Sequence, residues 1–178
     1  MSGRALRTAV TGVSLSLLCA ACGAAESSIA TTRIELPGWK SVPDAPGVSE
    51  LVPELAGLRV VSRTDRQALI REGSVVRSAT FTFANAKDAA EAQKRGAGDD
   101  YQRQLERAFR GETVGHGPGV GLRLRVPRAT GTGSDLAEIY LLASGRRLTV
   151  VELVSARGFE PTLRSRVLRL LSRRTAGG

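Results

Sequence analysis

The sequence predicts an α+β domain built as an antiparallel sheet with helices packed on one face. Three observations carry that expectation. Residues 75–84 place Ala79, Phe81 and Phe83 on one side and Ser78, Thr80 and Thr82 on the other, the period-2 pattern of a half-buried strand. Two apolar runs, 136–143 and 148–155, are joined by Ser144-Gly145, a tight-hairpin signal, and their two apolar faces mark them as central strands. Helical patterns with recognisable starts and stops accompany these strands.

The elements follow in chain order. Within Leu36-Pro37-Gly38-Trp39, the Pro-Gly pair predicts a turn that opens the folded part, with the only tryptophan as an apolar anchor. Pro43, Pro46 and Pro53 keep the chain irregular until Leu55, and Leu58-Arg59-Val60-Val61-Ser62 predicts a short strand. Thr64-Asp65-Arg66-Gln67 has the form of a capping box. With Ala68, Leu69 and Ile70 before Gly73, it suits a two-turn helix over 64–72, a β-hairpin arm being the competing reading. After the 75–84 strand, Asn85 is placed to cap a helix, with Asp88 near its positive end. Ala86, Ala89, Ala90 and Ala92 give that helix a thin apolar face, and Gly96-Ala97-Gly98 breaks it.

A second helix resumes at Asp99. Tyr101, Leu105, Ala108 and Phe109 repeat at i, i+4, i+7 and i+8, and Gly111 ends it. A glycine-rich connecting loop over 111–121 precedes a strand in which Leu122, Leu124 and Val126 alternate with Arg123 and Arg125. Pro161 suits the first turn of a final helix. Leu163, Val167, Leu170 and Leu171 form its apolar stripe, and Arg164, Arg166, Arg169, Arg173 and Arg174 occupy the remainder.

The N-terminus carries a separate message. Arg4 and Arg7 precede an uncharged stretch over 8–25, with no acidic residue before Glu26, which is the layout of a secretory signal. Ala20-Ala21-Cys22-Gly23 resembles the processing site of bacterial lipoproteins. The resemblance implies a diacylglycerol thioether on Cys22 and cleavage between Ala21 and Cys22. Ala20 and Ala21 match the small residues of that family, whereas Cys19 stands where it normally has leucine. Other readings stay open: Cys19 as the acceptor, cleavage near Ala24 or Ala25 with release of a soluble protein, or a retained span. The last is opposed by Thr11, Gly12, Ser14 and Ser16, since a span needs about 20 predominantly apolar residues. The expected division is a signal peptide over 1–21, a polar lipidated tether over 22–34 and an extracytoplasmic domain over 35–175. The element order and the opening Leu36-Pro37-Gly38-Trp39 also resemble small actinobacterial extracytoplasmic lipoprotein domains of the PsbP/Mog1-like kind.

Charge narrows the partners. The chain has 26 basic and 17 acidic residues, a formal charge of +9, and its only lysines are Lys40, Lys87 and Lys94. Its few aromatic residues sit at core-like spacings, so the stacking platform of a single-strand binder is lacking and no nucleic-acid partner is expected. The charge suits anionic lipid headgroups or a cell-wall polymer. The candidate contact is the final helix, with Arg164, Arg166, Arg169, Arg173 and Arg174 and no acid after Glu160. Cys19 and Cys22 are the only cysteines, so the mature domain holds neither a disulfide nor a Cys-ligated zinc site.

Candidates for catalysis are few. His116, the only histidine, has no neighbouring metal ligands in sequence, no GxSxG nucleophile motif is present, and the loop around it lacks the Lys-Ser/Thr of a phosphate-binding loop. Asp99 and Asp100 open a helix, where carboxylates favour the macrodipole. Glu152 lies mid-strand among valines, facing the rim of the sheet or pairing with Arg123 or Arg125 if their strands are neighbours. The functional expectation is a membrane-anchored, non-catalytic protein without cofactor or metal. Its partner would be an envelope protein, a cell-wall polymer or a small apolar ligand held between sheet and helices. The alternative is a small hydrolase or transferase using Glu152, His116 or the acids near Asp99, which requires two of these to converge in a cleft.

Overall fold

The computed structural model describes residues 34–42, 58–117, 121–128 and 132–177. The expected signal peptide, Cys22, nearly all of the tether and the proline-containing stretch from Pro43 lie outside the described residues. Within them, seven strands form one sheet in the order β1-β2-β3-β7-β6-β5-β4. They are β1 (Lys40–Val42), β2 (Val60–Arg71), β3 (Ser74–Phe83), β4 (Glu112–Gly117), β5 (Gly121–Pro127), β6 (Ser134–Ser144) and β7 (Arg147–Ser155). Every pairing is antiparallel. Three helices complete the fold: α1 (Ala86–Gly96), α2 (Asp99–Phe109) and α3 (Pro161–Ala176). The α+β class and the antiparallel sheet are as expected, and β7 and β6 lie in the middle of the sheet.

The helices cover both faces rather than one. Ala79, Phe81 and Phe83 of β3 and Leu148 and Val150 of β7 pack with Ala89, Ala92, Tyr101 and Leu105 of α1 and α2. On the opposite face, Val76, Val151 and Leu153 pack with Val167 and Leu171 of α3 and with Ile34 and Leu36. The reason is the composition of the central strands. β7 is apolar on both pleated faces, and a strand of that kind is stable only when both sides are removed from water.

Two segments take another form than expected. Residues 64–72 belong to β2 and the turn into β3, so the hairpin arm replaces the helix. The Gln67 side chain, which would have completed the capping box, instead accepts from the Ile34 amide at 2.8 Å and donates to the Ile34 carbonyl. The 111–121 loop contains an edge strand, β4, paired to β5 with a register irregularity between Thr113 and Gly115. Glycines and such an irregularity blunt an exposed edge against further pairing.

The helices keep their expected boundaries. Asn85 caps α1, its Oδ1 accepting from the Asp88 amide at 2.8 Å, a cap worth about 1 kcal/mol. Gly98 precedes α2, and Arg110 in the left-handed region (φ 50°) closes it. In α3 the buried side is Arg164, Val167, Leu171 and Thr175, so the helix is rotated relative to the leucine stripe expected, and Leu163 and Leu170 stay partly exposed.

Candidate functional site

The register places chemistry in rows across the sheet. On the α1/α2 face, Ala68, Arg77, Glu152, Ile139, Leu122 and His116 are successive cross-strand partners from β2 to β4. Glu152 is fully buried and pairs with Arg77, Nη1 to Oε2 at 3.1 Å. Its predicted partners, Arg123 and Arg125, are out of reach because β5 neighbours β6 and not β7. His116 ends the same row on the exposed edge strand. Three strand spacings of about 4.8 Å separate it from Glu152, roughly 14 Å. The two share a face and a row without meeting, so they form no hydrogen-bonded acid–base pair.

A cavity of about 250 Å³ lies over the His116 end of this row. Its floor is Leu122, Ile139 and Leu141 from β5 and β6, and its roof is Gly96-Ala97-Gly98, the break between α1 and α2. Three residues with little or no side chain, at the point where one helix stops and the next starts, leave the floor incompletely covered. Tyr101, Gln102 and His116 are the lining residues with polar side chains. The Tyr101 hydroxyl is buried and has no hydrogen-bond partner among the described residues. Burial, and secondarily the nearby Glu152 carboxylate, pushes its pKa far above the ordinary tyrosine value, so it remains a hydrogen-bond donor.

The α3 face holds a second buried carboxylate that sequence reasoning missed. Glu138, 1% exposed, receives Arg164 through Nε at 2.5 Å and Nη2 at 2.7 Å, a bidentate pair. Arg123 lies 3.2 Å from it, and the Tyr140 hydroxyl donates to it at 2.9 Å. Arg164 also donates to the Phe159 carbonyl at 3.0 Å. Hydrogen bonding to Glu138 pushes the Arg164 guanidinium pKa further up. Arg164 is therefore withdrawn from the expected anionic-surface contact: it is buried as structural glue. Arg166, Arg169, Arg173 and Arg174 remain exposed. Asp99 and Asp100 are exposed in the first turn of α2, where Asp100 pairs with Arg103, and neither enters the cavity. An acid inside the apolar 136–143 run was the available signal for Glu138, of the same kind as that for Glu152.

Among the described residues no group of three or more His, Cys, Asp or Glu is arranged to hold a metal ion, and no helix is long and apolar enough to cross a membrane. No family model matches the chain, and no curated protein matches it. Among solved structures the chain is similar to the extracellular domain of PknH from Mycobacterium tuberculosis. The identity is 8%, the match covers 71% of this chain and 69% of that one, and the TM-score is 0.43, a likeness too distant to carry an argument about function.

Proposed function

We propose that the chain is an extracytoplasmic lipoprotein, tethered through Cys22, whose domain binds a small, mainly apolar ligand without transforming it. The observation that carries the binding role is the cavity between the sheet and the α1–α2 break. Its walls are mainly apolar and include the Tyr101 side chain, whose buried hydroxyl lacks a partner among the described residues. Leaving such a group unpaired costs about 1–3 kcal/mol, which a ligand oxygen accepting that hydrogen bond would recover. The volume, at the small end of ligand pockets, suits a compact molecule with an apolar body and one acceptor. The signal layout and Ala20-Ala21-Cys22 support the anchor.

Two measurements test these parts separately. Intact mass of the membrane-fraction protein is expected to show a chain starting at Cys22 with added acyl mass, lost in Cys22→Ser. An unmodified chain starting near Ala25 would make the protein secreted instead. For the cavity, native mass spectrometry of purified protein is expected to reveal a retained small molecule that is absent from Leu122→Trp, where the indole fills the site. Equal small-molecule content in the two proteins would refute the binding role.

A further inference from the structure

The exposed side of α3 is a ridge. Arg166, Arg169 and Arg173 follow at i, i+3 and i+7, so three guanidinium groups project along one line of the helix, and no acidic residue lies within it. None of the three forms an ion pair among the described residues. Beside the ridge, a groove of about 790 Å³ runs between α3 and the 34–41 segment. Its apolar lining includes Leu36, Leu69, Leu170 and Trp39, with Arg166 and Arg174 on the helix side and one carboxylate, Glu35, opposite. Trp39 is half-buried, stacked on Phe159 with ring centroids 6.0 Å apart.

We propose that this face lies against an anionic bilayer. The ridge arginines would donate to lipid phosphates, and Trp39 would sit at headgroup depth, where amphipathic indoles concentrate. Charge complementarity favours a lipid surface, and the path of the chain favours the same side. Ile34 lines the groove, and the roughly twelve residues back to Cys22 span at most about 40 Å. An acylated Cys22 thus keeps the groove within reach of the bilayer, and this last step rests on the lipoprotein reading. The arginine ridge faces away from the ligand cavity, so the cavity stays open to the envelope while the opposite face is seated.

The test uses the full chain carrying Cys22→Ser, so that the face is read without the anchor. Vesicles of phosphatidylcholine alone are compared with vesicles also containing phosphatidylglycerol. Binding to the anionic vesicles is expected, with a blue shift in the emission of Trp39, the only tryptophan. Replacing Arg166, Arg169 and Arg173 with Gln should weaken partitioning about fivefold per arginine and remove the shift. A matched triple on α1 and α2, Lys87→Gln, Lys94→Gln and Arg107→Gln, removes the same charge from exposed positions on the other face and should retain both signals. Equal loss in the two triples would reduce the effect to net charge. Binding without a shift in Trp39 emission would place the contact on another face, and either outcome overturns the proposal. Because Cys22 is absent from every arm, failure here is distinct from failure of the anchor.

Discussion

Beneath α3, Glu138 is gripped by Arg164 and Arg123 and accepts from Tyr140, and a hydroxyl chain runs from Thr80 through Thr149 to Thr175 and the Leu171 carbonyl. Beneath α1 and α2, Glu152 pairs with Arg77, the nearby Tyr101 hydroxyl lacks a hydrogen-bond partner among the described residues, and a cavity remains. One sheet therefore supports two kinds of packing. The α3 face is joined by directional polar contacts, which admit few alternative placements of the helix. The α1/α2 face is joined mainly by apolar contact, which tolerates unfilled volume. The proposed ligand site lies on the second face, where taking up a molecule breaks no existing network.

The largest expected difference between the faces lies in their carboxylates. Glu138→Gln leaves Arg164 buried against a neutral partner and should cost about 3–5 kcal/mol. Glu152→Gln should cost less, about 1–3 kcal/mol, because Arg77 is 24% exposed and its charged end can reach water. Urea unfolding of both variants gives the comparison. Equal losses would mean that the faces do not differ in their wiring.

The two tyrosines, the only ones in the chain, sharpen the contrast. Tyr140→Phe removes a hydrogen bond to a charged acceptor and should cost about 1.5–3 kcal/mol, whereas Tyr101→Phe removes a hydroxyl without a partner and should leave stability unchanged or raised. Both phenols have pKa values raised well above their ordinary value. Burial is the main cause for each, with added contributions from Glu152 at Tyr101 and from the hydrogen bond to Glu138 at Tyr140. Above pH 10 the unfolded chain releases these protons and the folded one does not. Titration of these phenols therefore leaves folding stability unchanged below about pH 10 and lowers it as pH rises toward the folded values. Tyrosinate absorbance is expected to appear together with loss of ellipticity. A phenol titrating near pH 10 in the intact fold would contradict the burial of its face.

What was legible in the sequence was local. The β3 alternation, the Asn85 cap, the Gly96–Gly98 break and the Ser144-Gly145 hairpin each depend on residues a few positions apart. The placement of α3 was only partly legible: two-sided apolar strands imply cover on both faces, yet the side each helix takes depends on the 156–160 connection. Gln67 is a capping residue in one fold and a clamp on Ile34 in another, and only the distant partner decides between them. The Glu138 cluster joins β5, β6 and α3, so it follows from strand order and not from spacing. The cavity depends likewise on how two helices meet above the sheet.

Two glycines carry the smallest and most discriminating comparison. A Cβ at Gly121 would lie 2.6 Å from the Tyr140 ring, which is held by its hydrogen bond to Glu138 and cannot turn away. Gly121→Ala should therefore cost about 1–3 kcal/mol through overpacking. A Cβ at Gly96 would lie 2.2 Å from Leu141 Cδ1, a nominally worse clash, but that methyl group ends a flexible side chain lining the cavity. Leu141 can rotate into the open volume, and alanine is favoured over glycine in a helix by up to about 1 kcal/mol, so Gly96→Ala should be close to neutral. The rotation also occupies ligand space. Gly96→Ala should accordingly keep its melting temperature while losing the retained small molecule, a separation of stability from binding that Gly121→Ala should not show. If Gly96→Ala proves the more destabilising of the two, the α1/α2 face is as tightly packed as the α3 face, and the cavity cannot adapt in the way ligand binding requires.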